Sequence, residues 1–136
     1  MRFLGIDYGN KRIGISISDQ SNVIANPYST IINKGHKEVV KEIKDIIAQK
    51  EISHIVIGMP FSFDFDETEQ TKTTQGFIDY LNKEMPQISV VIENEILSTK
   101  EAENKLDNHK NKKSVIDETA SCLILQSFLD KRHDQQ

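Results

Sequence analysis

A single cysteine, Cys122, leaves no partner for an internal disulfide, so packing alone must hold the fold and a cytosolic home is the simplest expectation. Apolar stretches reach only four or five residues, far short of the ~20 needed to cross a bilayer. The amino terminus opens directly into the strand-like run Phe3-Leu4-Gly5-Ile6, without the architecture of a signal peptide. His36, His54, His109 and His133 are scattered without metal-ligand spacing, which with a lone cysteine argues against a zinc site. The glycine-rich turn Gly5-Ile-Asp-Tyr-Gly9 matches neither the phosphate-loop nor the dinucleotide fingerprint. Basic excess is missing too: 17 Lys and Arg against 21 Asp and Glu leave a net charge of −4. That balance counts against tight, indiscriminate nucleic-acid binding, but it permits a local basic patch.

What is present describes one soluble domain. A chain of 136 residues fits a single domain and buries about two-thirds of its unfolded surface. Hydrophobic residues at 37% and charged residues at 28% suit an ordinary globule. Residues 3–7 form a short apolar run that ends in a turn signal, Asp-Tyr-Gly-Asn. Ile13, Ile15 and Ile17 then alternate with Gly14, Ser16 and Ser18. A third extended segment covers Val23 to Ile32, where Pro27 suits an edge strand or bulge.

The period then changes. Val39, Ile43, Ile46 and Ile47 predict an amphipathic helix over roughly 37–49. Ile55-Val56-Ile57, closed by Gly58 and Pro60, reads as a strand covered on both faces. Phe77, Leu81 and Met85 mark a helix over about 69–85, and Val90-Val91-Ile92 repeats the buried-strand pattern. A short helix from Ser98, a final helix from Ser114 to about Lys131 and a frayed tail at 131–136 complete the chain. A three-strand meander followed by two βα units and a last helix predicts an α/β fold, a mixed five-stranded sheet flanked by helices.

Acidic residues stand where a core should not tolerate them. Asp7 ends the first strand on the face of Phe3 and Gly5, and ligands of open α/β sheets bind beyond the carboxyl ends of strands. Its plainer reading is a turn aspartate capping its own loop. Glu93-Asn94-Glu95 follows the Val90–Ile92 strand, and alternation puts Glu93 and Glu95 on one face without choosing between them. Asp117 fits a capping box opened by Ser114. It also heads the stripe Ala120, Ile124 and Phe128, which places it on the buried face of the last helix. Capping explains the first fact and not the second.

Carboxylates converging on one sheet edge repel unless a cation neutralises them. Hard divalent ions, Mg²⁺ or Mn²⁺, prefer such oxygen ligands and keep waters for a substrate phosphate. A pair of such ions generates a hydroxide nucleophile and stabilises the leaving oxygen. Lys100, Lys105, Lys110, Lys112 and Lys113 make a candidate phosphate surface, or simply a solvated one. Phe61, Phe63 and Phe65, interleaved with Ser62 and Asp64, suggest loop packing or self-association, so monomer and homodimer both stay open. Cys122 reads as an inert helical residue.

Gly5-Ile-Asp7-Tyr-Gly9-Asn-Lys11-Arg12-Ile-Gly14 closely resembles the opening motif of the YqgF family, small Holliday-junction-resolvase-like proteins regarded as pre-16S rRNA nucleases. Gly58-Met-Pro60, Glu93-Asn-Glu95-Ile-Leu97-Ser98-Thr99 and Asp117-Glu-Thr-Ala120 resemble further motifs of that family, in the right order. The resemblance implies a ribonuclease-H-like fold, a cytoplasmic location and hydrolysis of phosphodiester bonds while maturing the 5′ end of precursor 16S rRNA. It selects Glu95 over Glu93, making Asp7, Glu95 and Asp117 the catalytic, metal-binding set, with Lys11, Arg12 and Ser98 as substrate contacts. Ile96 stands where the family carries arginine, which removes one cation from the expected phosphate contacts. The alternatives are a Holliday-junction DNA endonuclease acting on branched DNA, or a catalytically silent RNA- or ribosome-binding module. The first motif also looks like the phosphate loop of actin-like ATPases and sugar kinases, which pair two such domains; 136 residues give no room for the second.

Overall fold

The computed structural model describes residues 1–61, 67–96 and 113–134. Strands β1 (Arg2–Asp7), β2 (Arg12–Ser18) and β3 (Ala25–Ile32) form the expected antiparallel meander. Helix α1 (His36–Lys50) leads to β4 (Ile52–Phe61), and α2 (Glu69–Glu84) leads to β5 (Ser89–Ile96). A final helix, α3, runs from Lys113 to Asp134. The five strands lie in the order β3-β2-β1-β4-β5, with β4 parallel to both β1 and β5. The predicted mixed sheet is therefore the observed one.

Period-two alternation sorts the strands between two unequal cores. Leu4, Ile6, Ile13, Ile15, Ile17, Ile55 and Ile57 face α1 and α2, where Val39, Ile43, Phe77 and Leu81 close over them. Phe3 and Val56 face the opposite way and meet Ile124, Leu125 and Leu129 of α3. The serine side of β2, polar in sequence, is not a solvent face: Ser16 and Ser18 are 0% and 1% exposed. α3 lies across it.

That close approach depends on a glycine and two serines. A β-carbon on Gly5 would stand 2.3 Å from Ser16 Oγ and 2.8 Å from Leu125 Cβ. In the space left by its absence, Ser121 Oγ donates to Gly5 O at 2.9 Å and lies 2.8 Å from Ser16 Oγ. Phe3 N donates to Ser18 Oγ at 2.9 Å. Each polar group carried into the interface therefore finds a partner, which avoids the penalty of burying it unpaired.

The remaining expectations differ only at element ends. β3 starts at Ala25 rather than Val23, because the Asp19 carboxylate takes the Val23 and Ile24 amides into the preceding turn at 2.8 and 3.0 Å. Pro27 sits on the edge strand beside a register shift, as its missing amide requires. α3 begins one residue ahead of Ser114, so Ser114 is inside the helix rather than its cap. The helix also persists through Asp134 where fraying was expected from residue 131; His133 Nε2 reaches Asn22 O at 2.8 Å and helps to tie that end down. The short helix expected from Ser98 lies outside the described residues.

Gly5→Ala should cost about 1–3 kcal/mol, since the neighbours it meets are packed against a helix backbone rather than free to swing away. A shift in the denaturant midpoint at unchanged slope measures it. The amides of Ile24 and Val23 hold the Asp19 carboxyl below its ordinary range. A depressed folded-state pKa gives stability that is present above the unfolded value of about 3.9 and is lost as pH falls through the folded value. Asp19→Asn should therefore flatten the acid limb of stability below about pH 4, measured by denaturant midpoints across that range.

Candidate active site

Ile6, Ile57 and Ile92 are in register across β1, β4 and β5. The next residue on β1 is Asp7, at the carboxyl end of that parallel trio, half-buried on the side of Phe3 and Gly5 that faces α3. The next on β5 is Glu93, and Glu95 lies two residues further along, paired with Pro60 of β4. By alternation, positions 93 and 95 share the α3 side of the sheet.

The two glutamate positions have different surroundings. Glu93 is only 6% exposed. Its Oε1 accepts from Ser127 Oγ at 3.0 Å and forms a charge-assisted hydrogen bond with Lys131, both on α3. This carboxylate is neutralised by the helix that covers it. The side chain of Glu95 lies outside the described residues, as do those of Asp117 and Ser98.

The position of residue 117 follows from how α3 crosses β1. Near the carboxyl end of the helix, Phe128 packs on Phe3 with ring centroids 5.5 Å apart, and the Arg132 guanidinium stands 4.9 Å from the same ring. Seven residues before Phe128, Ser121 bonds Gly5. Moving toward the start of α3 thus means moving from Phe3 toward Asp7. Position 117 is one turn further on, and four helical residues (~6 Å) nearly match the two strand residues from Gly5 to Asp7 (~6.6 Å). The expected stripe behind it holds: Ala120 and Ile124 are buried, and Phe128 packs in the same cluster.

The turn after Asp7 is fixed by residues the motif analysis did not single out. Asn33 Nδ2 donates to Gly9 O at 2.9 Å and to Tyr8 Oη at 3.1 Å. Gln70 Nε2 donates to Tyr8 O at 3.0 Å, and the Asn33 amide donates to Lys11 O at 2.9 Å. Gly9 is required because a β-carbon there would lie 2.4 Å from the Arg12 carbonyl oxygen. The Tyr8 ring stacks on Phe77 at 4.3 Å. Lys11 is exposed in this turn, and Arg12, half-buried, begins β2. Asn33 and Gln70 carry no sequence signal of this role, because each acts across a long separation in the chain.

Among the described residues, no three His, Cys, Asp or Glu side chains stand together as a metal cage; two of the expected carboxylates fall outside that description. Phe63, Phe65 and Lys100, Lys105, Lys110 and Lys112 are outside it as well. Burial, with Glu118 adding to it, pushes the Cys122 thiol above its ordinary range, which keeps it protonated and a poor nucleophile. No helix among the described residues is long and apolar enough to cross a membrane.

Comparison with known proteins agrees with this architecture. A protein of Halothermothrix orenii named "Putative pre-16S rRNA nuclease" is 38% identical over 134 residues, covering 96% of this chain and 95% of its own length. One of the same name from Lawsonia intracellularis is 37% identical over 140 residues, covering all of this chain and 98% of its own. Among solved structures, the fowlpox virus Holliday junction resolvase aligns with a TM-score of 0.60 at 12% identity, over 96% of this chain and 99% of that one. Thermus thermophilus RuvC, solved with a Holliday junction substrate, aligns with a TM-score of 0.54 at 12% identity, over 98% and 96%. At such identities the likeness concerns the fold, and it makes this sheet and its helices a resolvase-type, ribonuclease-H-like fold. The family described as RuvX, Holliday junction resolvase, matches residues 1–131, and this chain belongs to it.

Proposed function

We propose that this protein is a divalent-metal-dependent endonuclease that matures the 5′ end of precursor 16S rRNA in the cytoplasm. The observation that carries the reading is the register described above. Asp7 stands at the carboxyl end of β1 on the α3 side, and positions 95 and 117 belong to elements that reach the same end of the sheet. The names of the full-length relatives supply the substrate.

The donor set fits a hard cation. Asp7, Glu95 and Asp117 offer carboxylate oxygens only, the ligand type that Mg²⁺ and Mn²⁺ prefer. The nearby competing acid, Glu93, is already neutralised by Lys131 and hydrogen-bonded by Ser127. When bound, such an ion lowers the pKa of a coordinated water and offsets the charge that develops on the leaving oxygen. The chain's own residues do the rest. The three carboxylates would hold such an ion, and Lys11 and Arg12 would orient the scissile phosphate, the guanidinium being able to contact it bidentately. Ser98 is assigned to substrate contact by the family resemblance alone. The protein works as a monomer or a homodimer, with no membrane partner.

The test is cleavage of a precursor 16S 5′ leader and a four-way DNA junction side by side, with Mg²⁺ or Mn²⁺ and with the ion chelated. The leader should be cut only with the ion present. Asp7→Asn, Glu95→Gln and Asp117→Asn should each lower the rate by at least about 100-fold, beyond the loss typical of residues that merely support a ligand. Their melting temperatures should stay near that of the wild type. Variants that cut as well as wild type would show that the site is elsewhere. Preferential cutting of the junction would instead make branched DNA the substrate, in line with the family description.

A further inference from the structure

The face of the sheet opposite α3 carries a feature the catalytic reading does not use. Helix α1 presents Lys37, Lys41 and Lys44 at i, i+4 and i+7, all exposed, along one wall of a groove of about 480 Å³. Val40 forms the floor, and Tyr80 and Glu84 of α2 form the other wall. Glu38, Glu42 and Asp45 repeat the same spacing on the neighbouring strip of α1, where together with Lys34 and Lys41 they border a separate groove along β3.

The charges of α1 are thus partly sorted by sign, with Lys41 at the boundary of the two strips. Interleaved opposite charges at i and i+4 stabilise an isolated helix, whereas like charges at that spacing are mildly unfavourable. Lys37 with Lys41, and Glu38 with Glu42, are like-charge pairs. Lys41 has Glu38 and Asp45 within helical reach. Nevertheless, among the described residues none of the three lysines makes an ion pair. In a chain whose net charge is −4, three cations stand in one row, with Glu84 the acidic residue in the groove's lining.

The groove also starts in the right place. His36, the first residue of α1, packs its ring 6.3 Å from that of Tyr8 and 5.2 Å from that of Tyr80. Tyr8 directly follows Asp7. The lysine row therefore begins near the turn that carries the candidate site and leads away from it for ~10 Å, at 1.5 Å per residue. A basic wall facing an aromatic ring is the arrangement with which proteins hold unpaired strands without reading sequence.

We propose that the α1–α2 groove binds an unpaired segment of RNA flanking the cleavage site, with Lys37, Lys41 and Lys44 on its phosphates and Tyr80 against a base. Glu84 lines the same wall as Tyr80. This deepens the nuclease reading and rests on it for the identity of the polymer.

The experiment measures binding of an unstructured RNA oligonucleotide to the full chain by fluorescence anisotropy, in chelator and across a range of salt, so that neither metal nor cleavage contributes. Replacing all three lysines (Lys37→Gln, Lys41→Gln, Lys44→Gln) should weaken low-salt binding by about tenfold. It should also reduce the slope of log K against log salt by about 2, since each single-strand phosphate contact contributes about 0.7. The control neutralises the acidic strip (Glu38→Gln, Glu42→Gln, Asp45→Asn) and should leave that slope unchanged. An unchanged slope in the lysine variant, or no RNA binding by wild type, overturns the inference. So does an acidic-strip effect as large as the lysine effect, which would reduce both to net charge. Because chelated binding is independent of cleavage, a failed leader-cutting test with the slope change present would leave an RNA groove without a nuclease. Successful cutting with no slope change would remove only the groove.

Discussion

The structure depends on the closeness with which α3 can lie on β1 and β2. Gly5 leaves room for the Ser121 hydroxyl, and that hydroxyl takes the Gly5 carbonyl while it meets Ser16. A helix seated by hydrogen bonds to particular backbone atoms has one register; a helix seated by apolar contact alone can slide at small cost. Glu93 with Ser127 and Lys131, and Phe3 with Phe128 and Arg132, repeat the tie nearer the other end of α3. Ties at Ser121 and at residues 127–132 together set the register of α3 along β1.

The two faces of the sheet carry cores of unequal size. The α1–α2 face carries the larger core, built from the isoleucines of β1, β2 and β4, and supplies most of the apolar burial. The α3 face has a smaller apolar cluster, with small and polar residues among its strand contacts. A site on that side can hold carboxylates because the principal core lies elsewhere. The strand-end location is the one that parallel β-strands favour generally, where chain connections leave a crevice.

The Glu93–Glu95 pair shows why residue type alone is a weak guide to chemistry. Both are acidic, two residues apart on one strand and on the same side of the sheet. Glu93 lies under α3 and is satisfied by it, so it contributes to docking. Two residues further along β5, position 95 pairs with Pro60, one residue short of the last pair in the register.

Much of the architecture was legible in the sequence because it rests on local regularities. Period-two isoleucines, helical spacing in α1 and α2, Pro27 on an edge and the opening motif each depend on neighbours within a few residues. The matching fold and the family assignment followed from such patterns. What only tertiary structure decided involves residues far apart in the chain: burial of Ser16 and Ser18 beneath α3, the bracing of the Asp7 turn by Asn33 and Gln70, and the neutralisation of Glu93 by Lys131. A serine alternating with isoleucine reads as solvent-facing until a helix more than a hundred residues away supplies its partner. The physical reason is that sequence pattern records which side of an element is apolar, whereas a polar group's role is set by whichever group the fold brings within hydrogen-bonding distance.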